Sequence, residues 1–408
     1  MAQFAAPTRI ACLTALVGGV VQIEYVAAQS RDADLQPYEL EATYTADVWR
    51  NMQGGIRTGG AYLDNLDVTL SVDGERAWGV RGLSAFAYAL YNNDARFSQR
   101  YVGDAMTVSN IDAPEAARLY EAWIQWESAS THLLSLRFGL YDLNSEFDTS
   151  DSRSLFIHST HGVGHELGQT GENGPSIFPV TSPGLRAAWS PAENWRVLVA
   201  LLDAVPGDPD HPSATRVDLS SEEGALGVSE VQWSGERITK LSLGHWRYTA
   251  DFEDLRSTHA ERRPERDDNH GAYAAIEFAI GPVRAATEPV TLAFARYGVA
   301  NGRINEFRNS LGVGLRRRGL VAGRPDDELG LAYSRTDVGS ATRSIAAATG
   351  QTRDRYEAAL ELTYRAALTD WLIIQPDIQY VFNPGADPSL DDALAIGLRL
   401  EFSAAVWR

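Results

Sequence analysis

Two residue types are almost missing from this 408-residue chain: cysteine occurs once, at Cys12, and lysine once, at Lys240. A single thiol cannot close an intrachain disulfide, so disulfide scaffolds and cysteine-based zinc sites are excluded together. Basic charge is also scarce, because 36 Lys and Arg face 54 Asp and Glu, for a net charge of −18 and a pI near 4.9. Nucleic-acid-binding surfaces are basic fields, so no nucleic-acid partner is expected. The longest apolar run, Ile10 to Val21, covers 12 residues. A membrane-spanning helix needs about 20, which excludes a helical membrane protein but not a membrane protein crossing with strands.

What is present begins with an export signal expected over residues 1–28. Arg9 supplies its positive end, Ile10 to Val21 its apolar core, and Val26-Ala27-Ala28 a small-residue cleavage site. Its removal would leave residues 29–408 as the mature chain, without cysteine. From Leu40 onward the hydrophobic period is two. Leu394, Ile396, Leu398, Leu400 and Phe402 share one face of the last segment, opposite Gly397, Arg399 and Glu401. Tyr356, Ala358, Leu360, Leu362 and Tyr364 stand opposite Glu357, Glu361, Thr363 and Arg365. Sixteen such segments can be counted, among them 78–90, 118–126, 134–140, 184–190 and 238–248. The segment at 238–248 changes parity, from Leu241 and Leu243 to Trp246 and Tyr248, and a short helical turn is expected to open at Asp112. Connections alternate between tight turns such as Glu193-Asn194 and long loops such as 142–183.

The other face decides the class. It carries arginine, glutamate, tryptophan and glycine rather than the lysine, serine and threonine of a solvated sheet. Aromatic residues gather at segment ends, as at Tyr44, Trp189, Trp195, Tyr333, Tyr364, Trp371, Tyr380 and Phe402. Apolar residues facing lipid, aromatics at two interfaces and polar residues lining a wet lumen are the pattern of a membrane barrel. Such strands must close on themselves, because lipid offers no partner for an open edge. The fold expected is therefore all-β: a 16-stranded antiparallel transmembrane β-barrel.

Several motifs point to one family. Tyr62-Leu63-Asp64-Asn65-Leu66-Asp67 is followed by Ala77-Trp78-Gly79, by Val102-Gly103-Asp104, by Val108-Ser109-Asn110-Ile111 and by Arg118-Leu119-Tyr120-Glu121-Ala122-Trp123. Phe138-Gly139-Leu140-Tyr141-Asp142-Leu143-Asn144-Ser145-Glu146-Phe147 is the most specific block, and Trp371 to Tyr380 with Asn383-Pro384-Gly385 forms a distant second anchor. The chain resembles the carbohydrate-selective porins of the OprB family over nearly its whole mature length. That resemblance implies an outer-membrane porin of a Gram-negative bacterium that passes sugars such as glucose by diffusion and has no enzymatic activity. Its implied partners are mono- and small oligosaccharides, outer-membrane lipid and the barrel assembly machinery. It also implies that the loop 142–183 folds inward.

Side-chain parity then proposes the sugar pathway. With Tyr120, Ala122, Ile124 and Trp126 toward lipid, Glu121, Trp123, Gln125 and Glu127 line the lumen. Arg137 with Ser135 and Tyr141, and Arg186, follow from the parities of the next two segments, and Asn144 and Glu146 sit at the loop base. Carboxylates accept from sugar hydroxyls, guanidinium groups donate in a fixed fork, and aromatic rings pack on apolar sugar faces. Each of these arginines and glutamates is equally readable as an ion pair stiffening the wall. No cofactor or metal is expected. His165-Glu166 lacks a second histidine, since position 169 is glutamine, and His158, His161 and His165 read as solvated loop residues. The alternative is an exported glycan-processing enzyme using paired carboxylates such as Glu146 and Asp148. Acidic pairs such as Glu222-Glu223, Asp267-Asp268 and Asp326-Asp327-Glu328 are expected outside the strands, on the rims.

Overall fold

In a computed structural model of the chain, residues 36–129, 133–218, 223–256, 265–281 and 291–407 are described. The export signal expected over 1–28 lies outside them. Sixteen strands appear, close to the segments the alternation marks out: β1 Tyr38–Gly55, β2 Gly59–Asp73, β3 Leu83–Asn92, β4 Ala116–Glu127, β5 Leu134–Tyr141, β6 Ser182–Ala192, β7 Trp195–Asp203 and β8 Ala225–Trp233. They continue with β9 Ile238–Glu253, β10 Arg266–Ala279, β11 Thr291–Ala300, β12 Phe307–Arg318, β13 Glu328–Val338, β14 Tyr356–Thr369, β15 Leu372–Phe382 and β16 Asp391–Trp407. Each pairs with its sequence neighbours, and β16 pairs antiparallel with β1 from Leu40↔Trp407 to Gly55↔Asp391, so the sheet is a closed barrel. No described helix is long and apolar enough to cross a membrane.

The outer wall is apolar and exposed, with Val48, Ile124, Phe138, Leu185, Val199, Leu243 and Leu331 among its residues. At one end of the strands it carries exposed Trp126, Trp189, Trp195 and Trp371, the last stacked on Phe402; toward the other end lie Tyr62 and Tyr91. These are the two aromatic girdles of a membrane barrel. The connections on the tryptophan side are mostly short, such as Glu193-Asn194 between β6 and β7. The opposite side bears residues 93–115, 142–181, 204–218 and 223–224, which identifies it as the external face.

Five sequence expectations are corrected. Tyr120 does not face lipid. A bulge between the pairs Tyr88↔Glu121 and Ala89↔Leu119 inverts the parity of β4 there. Tyr120 is thus fully buried against Tyr88 and Phe178, while Ala122, Ile124 and Trp126 keep their outward parity. The parity of β9 does not change over 241–248, where pairing with β8 is continuous. Leu243, His245 and Arg247 are exposed on the outer face and Trp246 and Tyr248 are buried on the inner one, so large aromatics on the lumen side mimic a slip. Residues 78–82 belong to the turn before β3, with a short helix over Gly74–Trp78, and the only helical turn near Asp112 lies earlier, at Ser98–Val102. Finally, Asp267 and Asp268 lie in β10 and Glu328 opens β13.

Two connections enter the barrel. Residues 142–181 contact the inner wall of β8, β10, β11, β14 and β15 through hydrogen bonds. The Asp148 amide donates to Glu230 (2.8 Å), the Ser152 amide to Glu277 (2.6 Å), the Ile157 amide to Glu361 (2.6 Å) and Gln375 Nε2 to the Leu155 carbonyl (2.8 Å). Residues 93–115 do the same on the far side. The amides of Ala105 and Met106 each donate to Glu357 at 2.8 Å, and Ser109 Oγ donates to Asp47 at 2.8 Å. The two segments also join each other, Asn110 N to Ile157 O at 2.9 Å and Ser159 N to Thr107 O at 3.1 Å.

Candidate functional site: a mixed-charge constriction

Six of the seven residues proposed from sequence form one bonded network on the wall facing these loops. Antiparallel pairing brings Gln125 opposite Arg137, and Arg137 opposite Arg186, so three neighbouring strands present them at one level. Gln125 Oε1 accepts from Arg137 Nε (2.9 Å) and from Arg186 Nη2 (2.6 Å). Glu146, delivered by the loop, accepts from Arg186 Nε at 2.7 Å and from Arg196 at 2.5 Å, and Arg137 Nη1 lies 3.4 Å away. Tyr141 donates its hydroxyl to the same carboxylate at 2.8 Å. Burial works to raise the Glu146 carboxyl, and the charges of Arg137, Arg186 and Arg196 override it, holding it at about 2.

Trp123 donates its indole N–H to Glu121 (3.1 Å), which also accepts the Asp142 amide (3.2 Å). Phe86 stacks on Trp123 at 5.1 Å between centroids, and the Arg137 guanidinium lies over the Trp123 ring at 3.8 Å. The guanidinium thus covers the ring. Asn144, the seventh residue, stands apart from the network: its Nδ2 donates to the carbonyls of Phe147 (3.0 Å) and Gly162 (3.4 Å), bracing the loop. Exposure separates the arginines. The Arg186 side chain is 1% exposed and Arg137 11%, whereas Arg196 is 39% exposed.

Sequence reasoning missed Arg196, which sits on the inner parity of β7 with buried Leu198 and Ala200; that parity was the available signal. It also missed the knot behind the loop. Arg296 donates to both oxygens of Asp148 (3.0 and 2.9 Å) and to Glu166 (2.6 and 2.9 Å), with Arg153 on Asp148 at 2.9 Å, all of them buried. Glu146 and Asp148, the pair imagined as glycosidase carboxylates, are thereby locked into two separate arginine clusters. The loop histidines are not solvated: His158 and His161 are buried, and His161 packs on Phe156 and Phe294. Burial pushes His158 down to about 3 and His165 to about 4. No group of three metal-binding side chains occurs among the described residues.

A closed sixteen-stranded barrel with an apolar outer wall, two aromatic girdles and a charged interior narrowed by loops is an outer-membrane porin. The family model described as "Carbohydrate-selective porin, OprB family" matches residues 57–403, and the chain belongs to that family. It is 22% identical over 401 residues to Porin B of Pseudomonas aeruginosa, covering 89% of this chain and 87% of that one. The high-pH structure of Pseudomonas putida OprB superposes with a TM-score of 0.78 at 21% identity, covering 90% and 94% of the two chains. The outer-membrane channel DcaP of Acinetobacter baumannii does so at 0.55 and 10% identity, over 90% and 97%. The chain is a channel of the Gram-negative outer membrane rather than an enzyme, and sugars are its solutes.

Proposed function

We propose that sugars of the size of glucose cross this porin by passive diffusion past Arg137, Arg196 and Gln125, with Trp123, Glu121, Arg186, Glu146 and Asn144 holding that surface in place. The observation carrying this reading is the sharing of one carboxylate, Glu146, by three guanidinium groups, of which Arg196 reaches toward solvent and Arg137 keeps a narrow exposed edge. Arginine donors satisfy sugar hydroxyls in a fixed geometry, and the carboxylate keeps the arginines from trapping anions outright. Contacts in a channel must stay weak enough for release, which suits a solvated fork better than a closed pocket. Residues 1–28 act as the export signal, the assembly machinery inserts the barrel, and outer-membrane lipid covers the apolar wall.

The test is ion conductance across a planar bilayer, titrated with D-glucose. Wild-type current falls with sugar. In R137Q and R196Q the half-blocking concentration rises severalfold while the barrel still shows heat-modifiable mobility. Unchanged block in both variants removes the assignment of these residues.

A further inference from the structure

Inward-facing arginines of the strands have carboxylate partners almost without exception. Arg186 and Arg196 share Glu146 with Arg137, and Arg296, Arg365 and Arg399 each meet a carboxylate within 3.4 Å. Arg118 is the exception among the described residues. It lies on β4 opposite buried Leu90, on the inner side of the bulge, between the outward Ala117 and Leu119. Its exposure is 9%, its Nε has no hydrogen-bond partner, and no carboxylate among the described residues acts on it; the titratable group near it is Tyr120. Two strands of the wall supply nothing that offsets the charge, since Leu90 is apolar and Ala116 and Tyr120 flank it on its own strand.

A guanidinium on a residue nine-tenths buried, with its Nε unpartnered and no described carboxylate beside it, gains from an anion supplied from outside the fold. The β3–β4 connection opens on the long-loop side, so Arg118 precedes Trp123 on the way in, by roughly 15 Å of strand. We propose that Arg118 is an entrance subsite for the carboxylate of an anionic monosaccharide, a sugar acid, upstream of the neutral-sugar constriction. A planar fork of donors matches a carboxylate in two-point geometry, whereas a neutral hydroxyl leaves the charge unmatched. The inference rests on the sugar-channel reading above and extends its substrate class.

The probes are D-gluconate and D-glucose, each titrated from the external side of bilayers holding the full-length barrel. In wild type, gluconate blocks at a concentration about tenfold lower than glucose, the scale of one charge-assisted contact. R118Q brings the ratio to about one and leaves glucose block unchanged; R118K, with a charge but no fork, falls between. A wild-type ratio of one, or a ratio that survives R118Q, overturns the assignment. Should R118Q not fold, wild type decides. Raising KCl from about 0.1 M to about 1 M shortens the screening length from about 10 Å to about 3 Å and adds competing chloride, and must shrink the gluconate advantage severalfold; an advantage unchanged by salt overturns the subsite. Glucose block alone reports on the constriction, so failure of that reading is seen separately.

Discussion

At the scale of single residues the constriction separates arginines that hold from arginines that offer. Arg186, 1% exposed and bonded to Glu146, Gln125 and Ser135, is a brace. R186A is therefore expected to lower the unfolding temperature more than it changes sugar block, by differential scanning in detergent beside bilayer titration, with R196Q doing the reverse. Glu146 gives a second prediction. Its folded pKa of about 2 lies below the ordinary 4.5, so its contribution is present above about pH 4.5 and is lost as pH falls through about 2. The amount is on the order of 3 kcal/mol. E146Q should destabilise the barrel at pH 7 and shift the reversal potential in a KCl gradient toward anion selectivity; near pH 2 wild type and variant should converge. That Glu121, Trp123, Gln125, Arg137 and Arg186 share a face was readable because a strand's period is two. Which arginines are accessible was not, because this depends on what the loop brings against them.

At the scale of elements, two loops rather than one narrow the barrel. The 142–181 loop was conspicuous in sequence by its length. The 93–115 loop was not, since much of its anchoring is backbone N–H donated to Glu357 on a strand about 250 residues away. Backbone donors leave no residue signature. The misplaced Tyr120 has a similar origin: one extra residue in a strand inverts the parity rule beyond it, and no side chain near position 120 announces the bulge. The buried Arg296 knot implies a test of loop anchoring. R296Q leaves Asp148 with Arg153 and Glu166 without its guanidinium, which should release the loop, raise single-channel conductance and weaken glucose block while the barrel stays closed. For the other loop, burial pushes Asp104 up to about 7. A carboxyl raised in the folded state favours folding at low pH, and that advantage is lost as pH rises from about 4 through 7. Amide exchange of 93–115, corrected for intrinsic rates, should thus be faster at pH 8 than at pH 5, and D104N should reduce the difference, the remainder belonging to Glu357, which holds the Ala105 and Met106 amides.

At the scale of the whole molecule, sixteen strands and their order were legible because lipid-facing and lumen-facing residues alternate along every one of them. The charge was only partly legible. Acidic residues populate the rims, but Asp47, Glu230, Glu277, Glu357 and Glu361 are buried on the inner wall, where they hold loops or arginines. Liposome swelling across mono-, di- and trisaccharides should fall steeply with size, as a loop-narrowed lumen requires. A tag inserted at Asp210 should be reached by antibody on intact cells, and one at Asp370 only after permeabilisation. The seam between β1 and β16 carries a consequence of a different kind. The first and last strands of the barrel are hydrogen-bonded partners, so the cylinder has no wall to close until its final strand has been delivered. Both inserted loops, tied from within to β1, β8, β10, β14 and β15, belong to the inside of that cylinder. Assembly is therefore constrained in time as well as in space: the contents must be gathered before or as the last seam is sewn, because a closed barrel offers them no lateral way in.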